Sequence, residues 1–160
     1  MSEDAERAWG ALLRVHARLV PLLDGEVQAA ASLPVTWYDV LLELHTAGGR
    51  LTMSELAGRV TLSRTRVSRL VDELVGEGLV AREANPDDGR SSYAVITDQG
   101  RSRFRAAAPR YVAAIDRELA GPLSGAELRA LAASLEKVLA ATTPAEWRTA
   151  RVSDSTTLER

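Results

Sequence analysis

The sequence predicts a mainly α fold with one small β-hairpin, an α+β winged helix-turn-helix carried between long terminal helices. Three observations predict it. Residues 51–78 read as two helices joined by a tight turn, the second studded with arginine. Two short β-prone runs follow, separated by Asn85-Pro86-Asp87-Asp88-Gly89, a dense set of turn formers. Both ends of the chain carry long apolar stripes at helical spacing that a winged helix of about half the chain cannot cover.

The elements can be justified in order. Residues 4–31 place Trp9, Leu12, Leu13, His16, Leu19, Val20, Leu23 and Val27 on one helical face, with Pro21 expected to kink the helix by removing a backbone donor. Ser32-Leu33-Pro34 breaks it. A second helix is expected to start at Thr36, with Trp37, Val40, Leu41 and Leu44 inward, and to end at Gly48-Gly49. Arg50-Leu51 reads as a very short strand. Thr52 and Glu55 have the spacing of a capping box, so a short helix follows and expires near Val60. Thr61-Leu62-Ser63 is the turn, with Ser63 as N-cap of the next helix. There Val67, Leu70, Val71 and Leu74 form a buried stripe, and Gly76-Glu77-Gly78 stops the helix.

Residues 79–83 and 91–97 read as the two strands of a hairpin, with Tyr93, Val95 and Ile96 suiting a sheet. A long helix then runs from Thr97-Asp98 to about Leu119 on a stripe of Phe104, Ala108, Tyr111, Ile115 and Leu119, with a kink at Pro109 and a stop at Gly121-Pro122. Ser124 and Glu127 cap a further helix bearing Leu128, Leu131, Leu135, Val138 and Leu139. Thr143-Pro144 signals a last short helix, and residues 151–160 read as a flexible tail. The expected division is a helical dimerisation region at 1–35 and 98–150 around a winged helix-turn-helix at 36–97.

Composition bounds the function. With 160 residues, 46% hydrophobic and 26% charged, the chain is an ordinary globular one. It has no cysteine, hence no disulfide framework, thiol switch or Cys-rich zinc site. Only His16 and His45 could add imidazole ligands, so no metal site and no cofactor is expected. No apolar run reaches membrane-spanning length and the acidic start is unlike a signal peptide, so a cytoplasmic protein without membrane contact is expected. Gly76-Glu77-Gly78-Leu79-Val80-Ala81 matches a dinucleotide fingerprint, but it follows a helix and precedes a strand, the reverse of what that motif needs. No nucleophile elbow, metalloprotease helix or phosphate loop is present, so an enzyme is not expected.

The net charge is −2, but from Arg59 to Arg105 there are nine arginines against seven acids, a net of +2, while the rest carries eleven bases and fifteen acids, a net of −4. The middle of the chain is therefore the surface for phosphate. The face opposite the buried stripe carries Arg64, Thr65, Arg66, Ser68 and Arg69, and no acid falls between Arg59 and Val71. Arginine can fork onto a guanine edge and a short hydroxyl can reach base or phosphate, so this face suits a major groove. The plainer reading is a solvated helix face in an arginine-rich chain. The uncovered terminal stripes point to a second copy of the chain, and a two-fold dimer would set two such helices about 34 Å apart, as palindromic DNA requires. The alternative there is a bundle packing on itself. Two further classes compete: a winged-helix module that binds protein and never DNA, and a ligand-binding protein whose DNA role is secondary. Neither explains the acid-free arginine segment.

Several segments, in order, resemble the MarR family of winged-helix regulators over roughly residues 8–140. They are Leu33 to Leu41, Ser54 to Ala57, Ser63 to Leu74 with Gly78 to Arg82, Asp88 to Ser91, and Ile96 to Gly100. The resemblance implies a homodimer with interdigitating terminal helices, recognition helices in adjacent major grooves and a wing in the minor groove. By that match Arg90 is the minor-groove arginine, Asp88 the acid that fixes the wing, and Ser91 its neighbour in the same signature. The Asp87-Asp88 pair departs from that pattern by adding an acid near the DNA backbone. The resemblance also implies a repressor released by a small aromatic effector, held in a cleft that His16, Trp37, Tyr38, His45 and Tyr111 would line. At helical spacing, each of these taken singly is better explained as a core or surface side chain.

Overall fold

The computed structural model describes residues 2–60, 64–86, 88 and 91–142, with Arg64 placed by its backbone. The elements run α1 (Glu3–Ala31), α2 (Val35–Thr46), β1 (Arg50–Thr52), α3 (Met53–Arg59), α4 (Arg64–Gly76), β2 (Val80–Ala84), β3 (Ser92–Ile96), α5 (Asp98–Ile115), a π-helical turn (Asp116–Ala120) and α6 (Gly125–Thr142). The N-cap Ser63, the wing-tip Arg90, the helix expected after Thr143 and the tail at 151–160 lie outside the described residues.

Local chemistry sets the boundaries. Ser2 caps α1, accepting from the Ala5 amide at 3.2 Å, with Glu3, Asp4 and Glu6 in the positive first turn. The helix passes through Pro21 and ends where Ser32 turns left-handed at φ 51°. The second helix starts at Val35 rather than Thr36. Its N-cap is Pro34, which has no side-chain acceptor, so Asp24 reaches across from α1 and accepts from the Val35 amide at 2.7 Å. Tyr38, 2% exposed, takes the inward place expected of Trp37, which is only half-buried.

Two helices end in the same device. At the end of α2 the Gly49 amide donates to Leu44 O (2.8 Å) and that of Gly48 to His45 O (3.2 Å); at the end of α4 Leu79 donates to Leu74 O (2.9 Å) and Gly78 to Val75 O (3.0 Å). These are the paired bonds of a Schellman ending, and the pivots Gly48 and Gly78, at φ 80° and 70°, hold the left-handed backbone that glycine tolerates best. The capping box at α3 is complete: Thr52 Oγ accepts from the Glu55 amide at 3.2 Å and Glu55 accepts from the Thr52 amide at 2.8 Å. Ser124 and Glu127 repeat it at the start of α6.

The hairpin is part of a three-stranded antiparallel sheet in the order β1-β3-β2. β1 pairs Leu51 with Ala94, and β2 pairs Val80 with Ile96 and Arg82 with Ala94. Thr97 joins sheet to helix. Its hydroxyl donates to Gly78 O at 2.7 Å and accepts from the Gly100 amide at 3.0 Å, capping α5. The core lies where α2, α3 and α4 meet the sheet, with Leu41, Leu44, Leu56, Val67, Val71 and Leu74 fully buried. Each contributes about 1.5–3 kcal/mol by leaving water.

The terminal helices are different. α5 packs along α1 and α2 through buried Phe104, Ala107 and Ala114, with Ala108 and Tyr111 of the expected stripe partly buried against the same core. The N-terminal half of α1 and nearly all of α6 stand open, with Trp9 58% and Val138 57% exposed. The helix expected to reach Leu119 gives way at Asp116 to a π-helical turn. Arg117 in that turn meets Glu26 of α1 at 3.2 Å, and Arg110 meets the same carboxylate at 3.3 Å. Arg103 donates to Ala31 O at 3.0 Å, supplying the cation that the last turn of α1 lacks. Among the described residues no helix is long and apolar enough to cross a membrane.

Candidate nucleic-acid interface

Helix α4 is two-faced. Val67, Val71 and Leu74 are fully buried and Leu70 nearly so, which pins the helix against α2 and α3. The opposite face presents Thr65, Arg66 and Arg69 to solvent, and Arg64 opens the helix. A buried apolar stripe fixes the helix axis, so the exposed side chains project from a rigid rail.

Ser68 is placed otherwise. It is half-buried, and its hydroxyl accepts from Arg82 Nη2 at 3.2 Å. The same guanidinium bonds the Asp72 carboxylate through Nη2 (2.8 Å) and Nε (3.1 Å) and Ser92 Oγ through Nη1 (3.3 Å). Glu73, the next acid of α4, accepts from Trp37 Nε1 at 3.2 Å. Both acids are thus engaged by Arg82 and Trp37. Arg59, one of the four arginines in the acid-free segment, belongs to α3 and turns toward Glu43, 3.8 Å away.

The base of the wing is built by its own polar groups. The Ser91 amide donates to Asp88 O at 2.9 Å, and Asn85 Nδ2 donates to Ser91 Oγ at 2.8 Å. Ser91 therefore serves the turn, while the Asp88 side chain is exposed. Arg50 lies over the Tyr93 ring at 5.1 Å, a cation–π contact that braces β1 on β3.

The expected aromatic cleft is only partly assembled. Tyr38 stacks on Phe104 at 5.2 Å and meets Tyr111 at 4.5 Å, and His45 meets Phe104 at 4.7 Å, so these groups form one packed cluster between α2 and α5. Trp37 turns to Glu73 instead, and His16 is exposed about three turns up α1 from the buried Val27. Burial, then neighbouring negative charge, raises both tyrosine hydroxyls above their ordinary range. Asp39 is pushed up to about 6, chiefly by burial and next by the Glu43 charge. Among the described residues no group of three or more His, Cys, Asp or Glu is placed to hold a metal.

Arg82, Asp24 and Arg103 were not singled out by sequence reasoning. Arg82 carried a signal. Strand alternation puts it on the face of buried Val80, where an apolar residue is the rule. Asp24 and Arg103 act across chain separations that periodicity does not reach.

A hairpin behind a two-faced, arginine-bearing helix, all set on one core, defines a winged helix-turn-helix protein. A family model described as the MarR family matches residues 31–91. The chain is 30% identical over 131 residues, 81% of its own length and 84% of the other's, to the uncharacterized protein Rv2011c of Mycobacterium tuberculosis. Its fold superposes at TM-score 0.83 on Sco3205 of Streptomyces coelicolor, a MarR family transcriptional regulator solved in complex with DNA, at 28% identity over 91% of this chain and 92% of that one. It also superposes at 0.79 on the organohalide-sensing regulator RdhR-CbdbA1625 in its 2,4-dichlorophenol-bound form, covering 90% of this chain and 84% of that one, a likeness of fold at 20% identity. The chain belongs to the MarR family of transcriptional regulators.

Proposed function

We propose that the chain is a homodimeric repressor of transcription that binds a palindromic operator in double-stranded DNA. In this reading Ser63, Arg64, Thr65, Arg66, Ser68 and Arg69 belong to the recognition helix, inserted in the major groove, and Arg90 enters the minor groove from a wing shaped by Asp88 and Ser91. The observation that carries it is α4 itself: one face buried at Val67, Leu70, Val71 and Leu74, the other an exposed Thr65, Arg66 and Arg69, with Asp72 and Glu73 engaged by Arg82 and Trp37. The complex of the related Sco3205 with DNA supports it.

The dimer is supported by the open stripes of α1 and α6. Trp9, Leu12 and Leu13 at one end of the chain and Leu131, Leu135 and Leu139 at the other are all more than a third exposed. Contiguous apolar surface of that extent on two helices calls for a cover. In the same reading the chain divides into dimerisation helices (1–35 and 98–150) and a winged helix (36–97), a division supported by the exposed stripes of α1 and α6. A small aromatic effector would enter beside the cluster of Tyr38, Tyr111 and His45, between the dimer helices and the winged helix, with Trp37 and His16 at its margin. Electrophoretic titration of a duplex selected from a random pool tests the reading, with Arg66→Ala and Arg69→Ala expected to weaken binding by about 1–3 kcal/mol each and to relax specificity.

A further inference from the structure

We infer that Arg82 is a positioning residue for DNA recognition: it locks α4 to the wing, and it acts through those elements without touching nucleic acid. The inference rests on the DNA-binding reading above.

The two reading elements are joined in sequence only by the Gly78 turn at the far end of α4. The N-terminal half of the helix, where Thr65, Arg66 and Arg69 stand, is the end remote from that joint. Apolar packing fixes the axis of α4 but supplies no directional bond to the wing. Arg82 supplies the direction. From the Val80 face of β2, at the protein surface, it grips Ser68 and Asp72, one turn apart on the flank of α4, and Ser92 on β3. A third acceptor of Nη2, sharing one of its two N–H groups, is the Ser68 backbone oxygen at 3.4 Å. One planar guanidinium therefore ties three elements, and its fork is rigid where a lysine would pivot.

Donor arithmetic separates positioning from contact. Arginine has five N–H groups. Nε, both directions of Nη2 and one of Nη1 are taken by Asp72, Ser68 and Ser92. What remains is too little for the forked contact that makes arginine useful on phosphate or guanine. Removing Arg82 should therefore cost affinity without removing a phosphate contact.

The test measures the selected duplex across a salt series with wild type, Arg82→Met, Arg82→Lys, Asp72→Asn and the Arg82→Met/Asp72→Asn double variant. Thermal melts keep each chain folded at the assay temperature. The expected result is a loss of about tenfold or more for Arg82→Met, with the slope of log affinity on log salt equal to wild type. Asp72→Asn should reproduce most of that loss, the double variant should be no worse than Arg82→Met, and Arg82→Lys should recover little. Hydrogen exchange without DNA gives a second reading: amides in the N-terminal half of α4 should exchange faster in Arg82→Met. A slope reduced by about one would make Arg82 a phosphate contact and overturn the inference. Wild-type affinity in a folded but destabilised Arg82→Met, or losses that simply add, would reduce it to a structural residue. Failure of the unmutated chain to bind any duplex is read before any variant, and it overturns the DNA-binding reading itself.

Discussion

Replacing Gly100 by alanine should destabilise the protein, although the same change is favourable in most helices. Gly100 lies in the first turn of α5, where the helix start presses on the strand entry. A Cβ there would sit inside contact distance of the Leu79 carbonyl oxygen, 3.1 Å from the Leu79 carbonyl carbon and 3.0 Å from Ile96 Cγ1. The obstacle is backbone, which cannot swing aside, and that oxygen also accepts from the Thr97 amide at 3.1 Å. Overpacking against fixed atoms costs about 1–3 kcal/mol, and loss of the Thr97 bond adds about 1 kcal/mol. Helix propensity returns about 1 kcal/mol, so the net loss is about 1–3 kcal/mol. For a chain of this size that lowers Tm by roughly 2–12 °C. Gly76→Ala is the matched control: nothing lies within 4 Å of its added Cβ, and it should gain up to about 1 kcal/mol. Calorimetry or circular dichroism on both variants reads the difference. A Gly100→Ala chain as stable as wild type would refute the close packing of α5 on the hairpin.

Other predictions follow from the same geometry. Thr97→Ala removes both the α5 cap and the bond to Gly78 O and should cost about 1–2 kcal/mol, read by urea melts with an unchanged m value. Asp39, held near 6 against an ordinary 3.8, keeps its proton more readily folded than unfolded, so its contribution is full below about pH 4 and is lost as pH rises through about 6. Asp39→Asn should flatten that part of the pH–stability curve and be the more stable chain at pH 7, by about 1 kcal/mol once partial exposure is allowed for; an unchanged curve would refute the assignment. Leu135→Glu on α6, a helix without a buried residue, should lower the oligomeric mass in light scattering. A dimer that persists at micromolar concentration would remove α6 from the interface.

Much of the fold was legible because local signals agreed. The Thr52–Glu55 and Ser124–Glu127 boxes, the glycine stops at 48–49 and 76–78 and the stripe from Val67 to Leu74 each demand one local geometry, and each holds in the structure. What escaped depended on contacts between distant segments. Trp37 and Tyr38 are neighbours on one helix, and pattern alone could not say that α5 would offer Phe104 and Tyr111 to the tyrosine while Glu73 drew the indole away. Ser68 looked like part of the exposed face because its partner, Arg82, arrives from a strand fourteen residues on. The start of α2 moved from Thr36 to Val35 because Asp24 of another helix, and not a local hydroxyl, caps it. The π-helical turn left no mark in the apolar spacing, since Ile115 and Leu119 keep the i, i+4 relation of an ordinary helix.

The central claim is that the Thr65, Arg66 and Arg69 face of α4 reads DNA in two copies. Selection of bound duplexes from a random pool, followed by affinity of the winner across salt, tests it most directly. The account predicts an enriched palindrome with half-sites about one helical turn apart and a steep salt slope, lost with Arg66→Ala and Arg69→Ala together. Folded protein that enriches no sequence, or that binds the winner equally well without those two arginines, would contradict it.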